Sequence, residues 1–169
     1  MWISGEMYNG QWANDLMHGS GVMKYASGDV YDGEWVENKR HGSAAHKQAN
    51  GDVYVGKWAG NKKNGRGVLT YASGDVYDGE CADDHLQGKG VMKYASGDVY
   101  DGEWLKGNMH GRGALKFSTG DAYKGAFLKN NMHGRGIMTY ANGDVYDGEW
   151  ANHVRCGKGS FIYPSGDEY

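Results

Sequence analysis

One spacing dominates this sequence, because tyrosines recur every 23 residues along the chain. Most of them open a short string of the form Tyr-x-Gly-x-Trp, and the string YDGEW occurs unchanged at 31–35, 100–104 and 146–150. No insertion or deletion breaks this register. A fixed period of this length is typical of an array of stacked structural repeats. The tyrosines that mark the period are Tyr8, Tyr31, Tyr54, Tyr77, Tyr100, Tyr123, Tyr146 and Tyr169.

Composition limits the kind of core that such an array can have. The 169 residues include 30 glycines and one proline, Pro164. The glycines occupy fixed columns of the repeat, which argues against collagen and against a flexible linker. The 13 Tyr and 6 Trp residues outnumber the 3 Phe residues, and Leu and Ile are scarce. The sequence therefore predicts a thin aromatic core rather than a thick aliphatic one.

Several other protein classes receive no support. Cys81 and Cys156 fall in different columns more than three repeats apart, so we expect no disulfide between them. No apolar run approaches the length of a transmembrane helix, and the first residues do not resemble a secretory signal. The net charge is −3 without a dense basic stripe, which argues against a nucleic-acid partner. We expect a cytoplasmic protein.

Each repeat contains two segments with the character of β-strands. The first is Tyr-x-Gly-x-Trp, and the second is Gly-x-Gly-x-Met-x-Tyr, as in GKGVMKY at 88–94. We predict a tight turn of the ASGD type before each first segment, and a longer polar loop, such as VENKRH at 36–41, between the two segments. This loop would place Trp35 near Gly42, and Gly33 near position 44.

Alternation along a strand assigns the side chains to two faces of a sheet. Tyr31, Gly33 and Trp35 share one face, whereas Asp32 and Glu34 lie on the other. One face is thus aromatic with glycine and methionine, and the other is largely charged. Because glycine normally weakens a strand, its regular presence predicts that aromatic rings lie flat over glycines of a neighbouring strand.

These motifs resemble the MORN (membrane occupation and recognition nexus) repeat family. Tyr-x-Gly-x-Trp, Gly-x-Gly-x-Met-x-Tyr and Gly-Asp-x-Tyr keep a 23-residue register over essentially the whole chain. The resemblance implies an all-β fold, an elongated and twisted single-layer antiparallel β-meander of consecutive hairpin repeats. With two strands per repeat, such a rod would be roughly 70 Å long. We expect one array over 1–169, of about seven repeats, that starts and ends within a repeat and is a fragment of a longer array.

Recurring polar residues resemble parts of catalytic or metal sites without having the geometry of one. Asp32 and Glu34 lie roughly 7 Å apart on one face, a separation that hydrolytic carboxylates use, yet the pair recurs in four repeats with no pocket implied. His18 and His41 belong to a column whose adjacent members are on the order of 10 Å apart, too far to share a metal ion. We predict no catalytic residue, no metal and no cofactor.

One repeat departs from the pattern in its second strand. Ala44, His46 and Gln48 replace the usual Gly, Met and Tyr. Drift in one member of the array is the favoured explanation, since a long array tolerates a weak repeat. A polar notch that orients a ligand remains the alternative.

Charge is divided between the two ends of the hairpins. The turns of the ASGD type carry aspartates, and the VENKRH loops carry mostly basic residues, interrupted by Asp83 and Asp84. The basic edge is a candidate for contact with lipid or for self-association. Its residues are Lys39, Arg40, Lys62, Lys63, Lys106 and Lys129, and the acidic edge holds Asp29, Asp52, Asp75, Asp98, Asp121, Asp144 and Asp167.

The favoured function is a non-catalytic protein-binding scaffold, which the family resemblance places near the cytoskeleton or a membrane. A single-layer sheet cannot hide a continuous aromatic face, an exposed apolar strip marks an interaction site, and Trp and Tyr are preferred interface anchors. A peptide in this groove, or a second copy of the chain, would be the partner. A structural role for the same rings is equally open. The predicted groove residues are Trp12, Tyr25, Trp35, Trp58, Tyr71, Tyr94, Trp104, Tyr140 and Trp150.

Two alternatives come from the resemblance. MORN arrays occur in junctophilins and beside plant phosphatidylinositol phosphate kinase domains, which implies either a module that binds acidic phospholipids, including phosphoinositides, or the regulatory array of a larger enzyme. The residues support lipid binding weakly, because headgroup sites usually cluster four to eight Lys or Arg, whereas the basic residues here are spread along an edge.

Overall fold

Fourteen β-strands make up the regular secondary structure of the described residues, 5–165, in the computed structural model. None of these residues is helical. Asp167 and Tyr169, which the sequence assigned to the acidic edge and to the tyrosine column, lie outside the described residues. The chain divides into two units, Met1–His85 and Leu86–Tyr169.

The first unit is an antiparallel meander in which each strand pairs with the next along the chain. Its strands are β1 (Met7–Ala13), β2 (Leu16–Lys24), β3 (Val30–Val36), β4 (Lys39–Lys47), β5 (Val53–Ala59), β6 (Lys62–Thr70) and β7 (Val76–Ala82).

The second unit repeats the same arrangement, again with antiparallel neighbours in chain order. The predicted all-β meander of 23-residue hairpin repeats is therefore confirmed within each unit. The strands are β8 (His85–Lys93), β9 (Val99–Leu105), β10 (Asn108–Lys116), β11 (Ala122–Leu128), β12 (Asn131–Thr139), β13 (Val145–Ala151) and β14 (Val154–Ile162).

The lengths of the two kinds of turn are the reverse of the prediction. Only Glu37 and Asn38 connect β3 to β4, and both have positive φ, 49° and 64°, as a type I′ hairpin turn requires. The ASGD turn is the wider one, in which the Tyr25 N–H donates to the Asp29 carbonyl at 2.9 Å. The prediction was wrong because Asn adopts positive φ without a following glycine.

A β-bulge sets the register inside each hairpin. Gly33 pairs with Ala44, as predicted, but Trp35 pairs with Arg40 rather than lying opposite Gly42. The register shifts between Gly33 and Glu34, and Gly42 takes a positive φ of 62° at the bulge. The predicted neighbourhood of Trp35 and Gly42 was wrong because the extra residues of a bulge displace one strand along the other.

Aromatic rings laid over glycines form the core of each unit. The Tyr54 ring lies against Gly56 in its own strand and Gly67 in the next, so closely that a Cβ on either glycine would overlap the ring. Tyr100 covers Gly102 and Gly113 in the same way. The predicted packing of rings over glycines is confirmed, because only glycine permits such an approach.

The two faces of each sheet differ as the alternation predicted. In β3, Tyr31 and Trp35 are buried, whereas Asp32 and Glu34 are exposed. The same alternation recurs in β9. Below, the two sides are called the aromatic face and the charged face.

Candidate functional site

Four of the five tryptophans that the sequence placed in a binding groove are buried. Trp35, Trp58, Trp104 and Trp150 are 2–4% exposed, whereas Trp12 in β1 is 49% exposed. Their burial departs from the predicted open groove, because side chains of the same sheet cover these four rings. The geometry thus favours for them the structural role that the sequence left open.

Edge-to-face contacts link the rings of adjacent repeats. Tyr31 contacts Trp35 of its own repeat at a centroid distance of 4.9 Å and Trp58 of the next repeat at 5.4 Å. The interplanar angles of 76° and 86° match the T-shaped geometry that aromatic pairs prefer. The Trp35 indole N–H also donates to the Gly21 carbonyl at 3.0 Å, which fixes the ring.

The buried tyrosine hydroxyls donate hydrogen bonds to backbone carbonyls of the sheet. The single proton of the Tyr31 hydroxyl is shared between two acceptors, the Glu34 carbonyl at 3.0 Å and the His41 carbonyl at 3.2 Å. Burial raises the pKa of Tyr31 far above its usual value and raises the pKa of Tyr123 to about 12. These phenols therefore stay neutral at physiological pH.

The other predicted groove residues, Tyr25, Tyr71, Tyr94 and Tyr140, begin the wide turns and are half-buried. They lie next to the strands of the aromatic face rather than within them. Burial raises the pKa of Tyr25, and Tyr140 stacks on Phe161 with ring centroids 6.0 Å apart. Together with Trp12, they keep part of their surface exposed to solvent.

The basic edge divides into residues that cover rings and residues that face solvent. The Arg40 guanidinium lies 4.4 Å from the centroid of the Trp58 ring, and Lys63 Nζ lies 5.4 Å from that of Tyr54. Lys62 pairs with Asp83 at 3.0 Å. The remaining members, Lys39, Lys106 and Lys129, are exposed. The column of Arg40 and Lys63 holds buried Leu86, Met109 and Met132 in the second unit, so its cations substitute for apolar covers.

The acidic edge holds neighbouring turns together. Asp29 accepts a hydrogen bond from the Ala49 N–H at 2.8 Å, and Asp52 accepts one from the Ala72 N–H at 2.8 Å. Asp98 accepts the Ser118 N–H at 2.7 Å, and this bond lowers the pKa of its carboxyl group. These aspartates are structural acceptors, and each contacts the turn one repeat further on.

The irregular second strand of the repeat at 31–53 places a histidine, His46, in the core. His46 is 5% exposed, and neither of its ring nitrogens has a hydrogen-bond partner within residues 5–165. Burial and the nearby Arg40 lower the pKa of His46, so its imidazole is neutral at physiological pH and its 3.9 Å approach to Asp29 is not an ion pair. Trp58 Nε1 also lacks a partner there.

The charged face of the second unit carries a concavity of about 810 Å³. It crosses six strands, from Lys89 in β8 to Asp147 in β13. Glycines and small apolar side chains form its floor, including Ala114 and Ile137, and the latter is 41% exposed. The charged lining residues are Lys89, Asp101, Glu103, Arg112, Lys124, Arg135 and Asp147.

Sequence reasoning missed this concavity because it treated the charged face as ordinary solvated surface. A signal was present, since one column of that face is apolar in six repeats. Its exposed members include Val68 and Ile137. The column consists of Val22, Ala45, Val68, Val91, Ala114 and Ile137.

The geometry defines a class of protein, an all-β repeat protein built from hairpins whose rings pack over the glycines of the same sheet. The MORN repeat matches the sequence seven times in tandem, and the chain belongs to the MORN repeat family. The matched residues are 8–30, 31–53, 54–76, 77–99, 100–122, 123–145 and 146–168. No curated protein matches the chain.

Solved structures of similar fold come from two animals. The TCP10 domain of Danio rerio CPAP is 14% identical, with a TM-score of 0.56, over 99% of this chain and 78% of that one. The TCP domain of Drosophila melanogaster SAS-4 (dCPAP), solved with a proline-rich motif of Ana2 (dSTIL), is 14% identical, with a TM-score of 0.53, over 89% and 82%. At this identity the likeness shows the fold.

Two further observations concern membranes and metals. Among residues 5–165 no helix is long and apolar enough to span a membrane. Within the same described part of the chain, no group of three or more His, Cys, Asp or Glu side chains is placed to hold a metal ion.

Proposed function

We propose that the chain is a non-catalytic scaffold that binds an extended segment of a partner protein in the concavity of the second unit. The concavity of about 810 Å³ on the charged face carries this proposal. Its floor combines glycines with exposed apolar surface such as Ile137, and an exposed apolar strip with a polar rim is typical of an interaction site.

The dimensions suit a short extended peptide. Six strands roughly 4.8 Å apart span about 24 Å, which an extended chain of about seven residues covers. Charges of both signs around the rim would orient such a segment and exclude wrong partners. The Drosophila TCP domain of similar fold was solved with a proline-rich motif of another protein, which supports the proposal that a sheet of this kind presents a peptide site.

The predicted groove on the aromatic face becomes a secondary part of this proposal. Its buried tryptophans hold the sheet together, whereas Trp12 and the tyrosines of the wide turns supply additional contacts along the hairpin ends. We also propose that the protein is cytoplasmic and lies near the cytoskeleton or a membrane. Self-association through the basic edge is a further part of the same proposal.

Site-specific photo-crosslinking tests the proposal. A benzophenone amino acid replaces Ile137 in the concavity, and as a matched control it replaces Lys116, which is exposed in β10 of the same unit and lies outside the lining of the concavity. We expect position 137 to form adducts with a protein. An excess of the unlabelled chain should suppress these adducts, whereas an excess of the Ile137→Asp chain should not. An adduct with a second copy of the chain would identify self-association.

Equal labelling from both positions, or no protein adduct from position 137, would contradict the proposed surface. Flotation with vesicles that contain phosphoinositide, measured beside neutral vesicles, separates the lipid alternative. Flotation that Ile137→Asp leaves unchanged but that Lys39→Glu abolishes would assign binding to the basic edge instead.

A further inference from the structure

The repeat at 123–145 lacks the acidic pair that marks the charged face of its neighbours. Where the repeats on either side read YDGEW, this one reads YKGAF. Lys124 therefore occupies the Asp column and Ala126 the Glu column. Both residues line the concavity, so the departure changes the chemistry of the proposed binding surface.

In the repeats at 31–53 and 100–122 the glutamate of the Glu column completes the β-bulge. Glu34 Oε1 accepts the N–H of Ser43 at 2.8 Å, and Glu103 Oε1 accepts the N–H of Arg112 at 3.3 Å. The carboxylate lies directly against the glycine before that N–H, as Glu103 does against Gly111. The repeats on either side of 123–145 thus hold a carboxylate against the bulge glycine, Glu103 at Gly111 and Glu149 at Gly157.

At Ala126 this carboxylate is missing and its place is open. The equivalent glycine, Gly134, has only the Ala126 Cβ within 4 Å of where its own Cβ would stand, at 3.5 Å. The equivalent N–H, that of Arg135, has no side-chain acceptor within residues 5–165. The donor that Glu34 and Glu103 satisfy in their own repeats therefore lacks that carboxylate here, beside the lining residue Ala126.

Cations surround the same place. Arg112 and Lys124 are exposed and form no ion pair within the described part of the chain. Arg135 approaches Asp147 only at 3.9 Å, between side chains that are 74% and 48% exposed. Such surface pairs are weak, so these three cations are available to an incoming anion.

In the first unit, the repeat at 54–76 also lacks the acidic pair but leaves no such gap. Its irregular Tyr-x-Gly-x-Trp segment, YVGKW, carries Lys57 in the Glu column. The Lys57 stem covers Gly65, with Cβ at 3.1 Å and Cγ at 3.5 Å from the position of an added Cβ. Its Nζ donates to Ser43 Oγ at 2.8 Å. There the repeat fills the space with its own side chain.

We propose that the concavity binds an acidic segment of the partner protein and that one Asp or Glu of this segment supplies the missing carboxylate. It would accept the Arg135 N–H and pair with Lys124 and Arg112. This inference rests on the proposed function and specifies its partner. A carboxylate fits better than a larger phosphate, because the neighbouring repeats hold a glutamate carboxylate in this place.

The test selects linear peptides of about ten residues, slightly longer than the concavity, from a random library against the full chain. Ala126→Glu restores the internal carboxylate, and Lys124→Asp restores the other acidic residue of the pair. Each variant introduces the residue that the adjacent repeats carry at the same position. Lys116→Asp, exposed in β10 and outside the lining of the concavity, is the control for the change in net charge.

We expect the selected peptides to be enriched in Asp and Glu. Their affinity should fall at least about tenfold when the acidic residue is replaced by its amide, or when the protein carries either variant, because a charge-assisted hydrogen bond is lost. Lys116→Asp should change affinity less than about twofold. In amide NMR spectra the acidic peptide should shift the Arg135 N–H.

Peptides that bind the concavity without acidic enrichment would overturn this inference and leave the proposed function standing. Selection of no peptide at all would overturn both. If phosphoinositide vesicles bind the chain and Lys124→Asp abolishes this binding while no peptide is selected, the anion is a lipid headgroup, and the acidic protein segment is rejected.

Discussion

Replacing Trp104 by alanine tests whether the tryptophan column holds the sheet together or anchors a partner. Trp104 is 4% exposed and meets the Tyr100 ring edge-to-face at 5.2 Å. Its indole N–H donates to the Gly90 carbonyl at 3.0 Å. Trp12 stands in the same column with a similar contact to Tyr8, at 5.2 Å, but is 49% exposed.

The expected cost follows from the burial. A buried Trp removes roughly 150–250 Å² from water, worth about 4–6 kcal/mol at ~25 cal/mol per Å², and measured Trp→Ala changes in cores cost about 3–5 kcal/mol. We expect Trp104→Ala to lower the free energy of unfolding by about 4 kcal/mol, and Trp12→Ala by at most about half as much. Trp104→Phe, which copies the natural Phe127 of this column, should cost about 1–2 kcal/mol, because it mainly loses the hydrogen bond.

Urea denaturation followed by circular dichroism measures these differences, and the crosslinking yield from position 137 reports binding for the same variants. A structural ring shifts the midpoint and leaves the binding of the remaining folded protein intact. If Trp104→Ala kept the wild-type midpoint but lost crosslinking, the ring would be an anchor. If Trp12→Ala were as destabilising as Trp104→Ala, burial would not be the determinant.

Three further changes test other parts of the fold by urea midpoints. Burial lowers the pKa of His46, so below about pH 6.5 the unfolded chain binds a proton at this residue that the folded chain does not bind. The free energy of unfolding of the wild type should therefore fall as the pH drops from about 7.5 to about 5. His46→Leu should remove the part of this fall that His46 causes. Gly113→Ala puts a methyl group into the Tyr100 ring and should cost about 1–3 kcal/mol, and an unchanged midpoint would refute the packing of rings over glycines. Asn130→Gly keeps the positive φ of 70° but removes the acceptor of the Met109 N–H at 2.7 Å, and should cost about 0.5–1.5 kcal/mol.

The sequence specified those features that depend on period and alternation alone. The 23-residue register gave the number and order of the hairpins, and two-residue alternation put Tyr31 and Trp35 on the buried side. The pairing of Gly33 with position 44 also follows from pattern, since both lie on the inward side of adjacent strands. These are local rules, and every copy of the repeat obeys them.

Features that depend on backbone conformation could not be predicted from the sequence. The type I′ turn at Glu37 and Asn38 requires two residues with positive φ, and Glu is not a residue in which this conformation is expected. The bulge at Gly42 displaced Trp35 to Arg40. The burial of the tryptophans depends on contacts with tyrosines of two adjacent repeats. It therefore could not be predicted from the sequence of a single repeat.

An array of this kind separates the residues that maintain the fold from those free to acquire a function. The inward columns of Tyr and Gly change little from repeat to repeat, with Ala44 as an exception, because the tyrosine rings pack directly on the glycines and a larger residue there disturbs the packing. The outward columns are not constrained in this way, since Asp101 and Lys124 occupy equivalent positions on equally regular strands. A departure in an outward column therefore costs the fold little and changes the surface directly. For this reason YKGAF, rather than the repeated YDGEW, is the segment from which partner specificity should be sought.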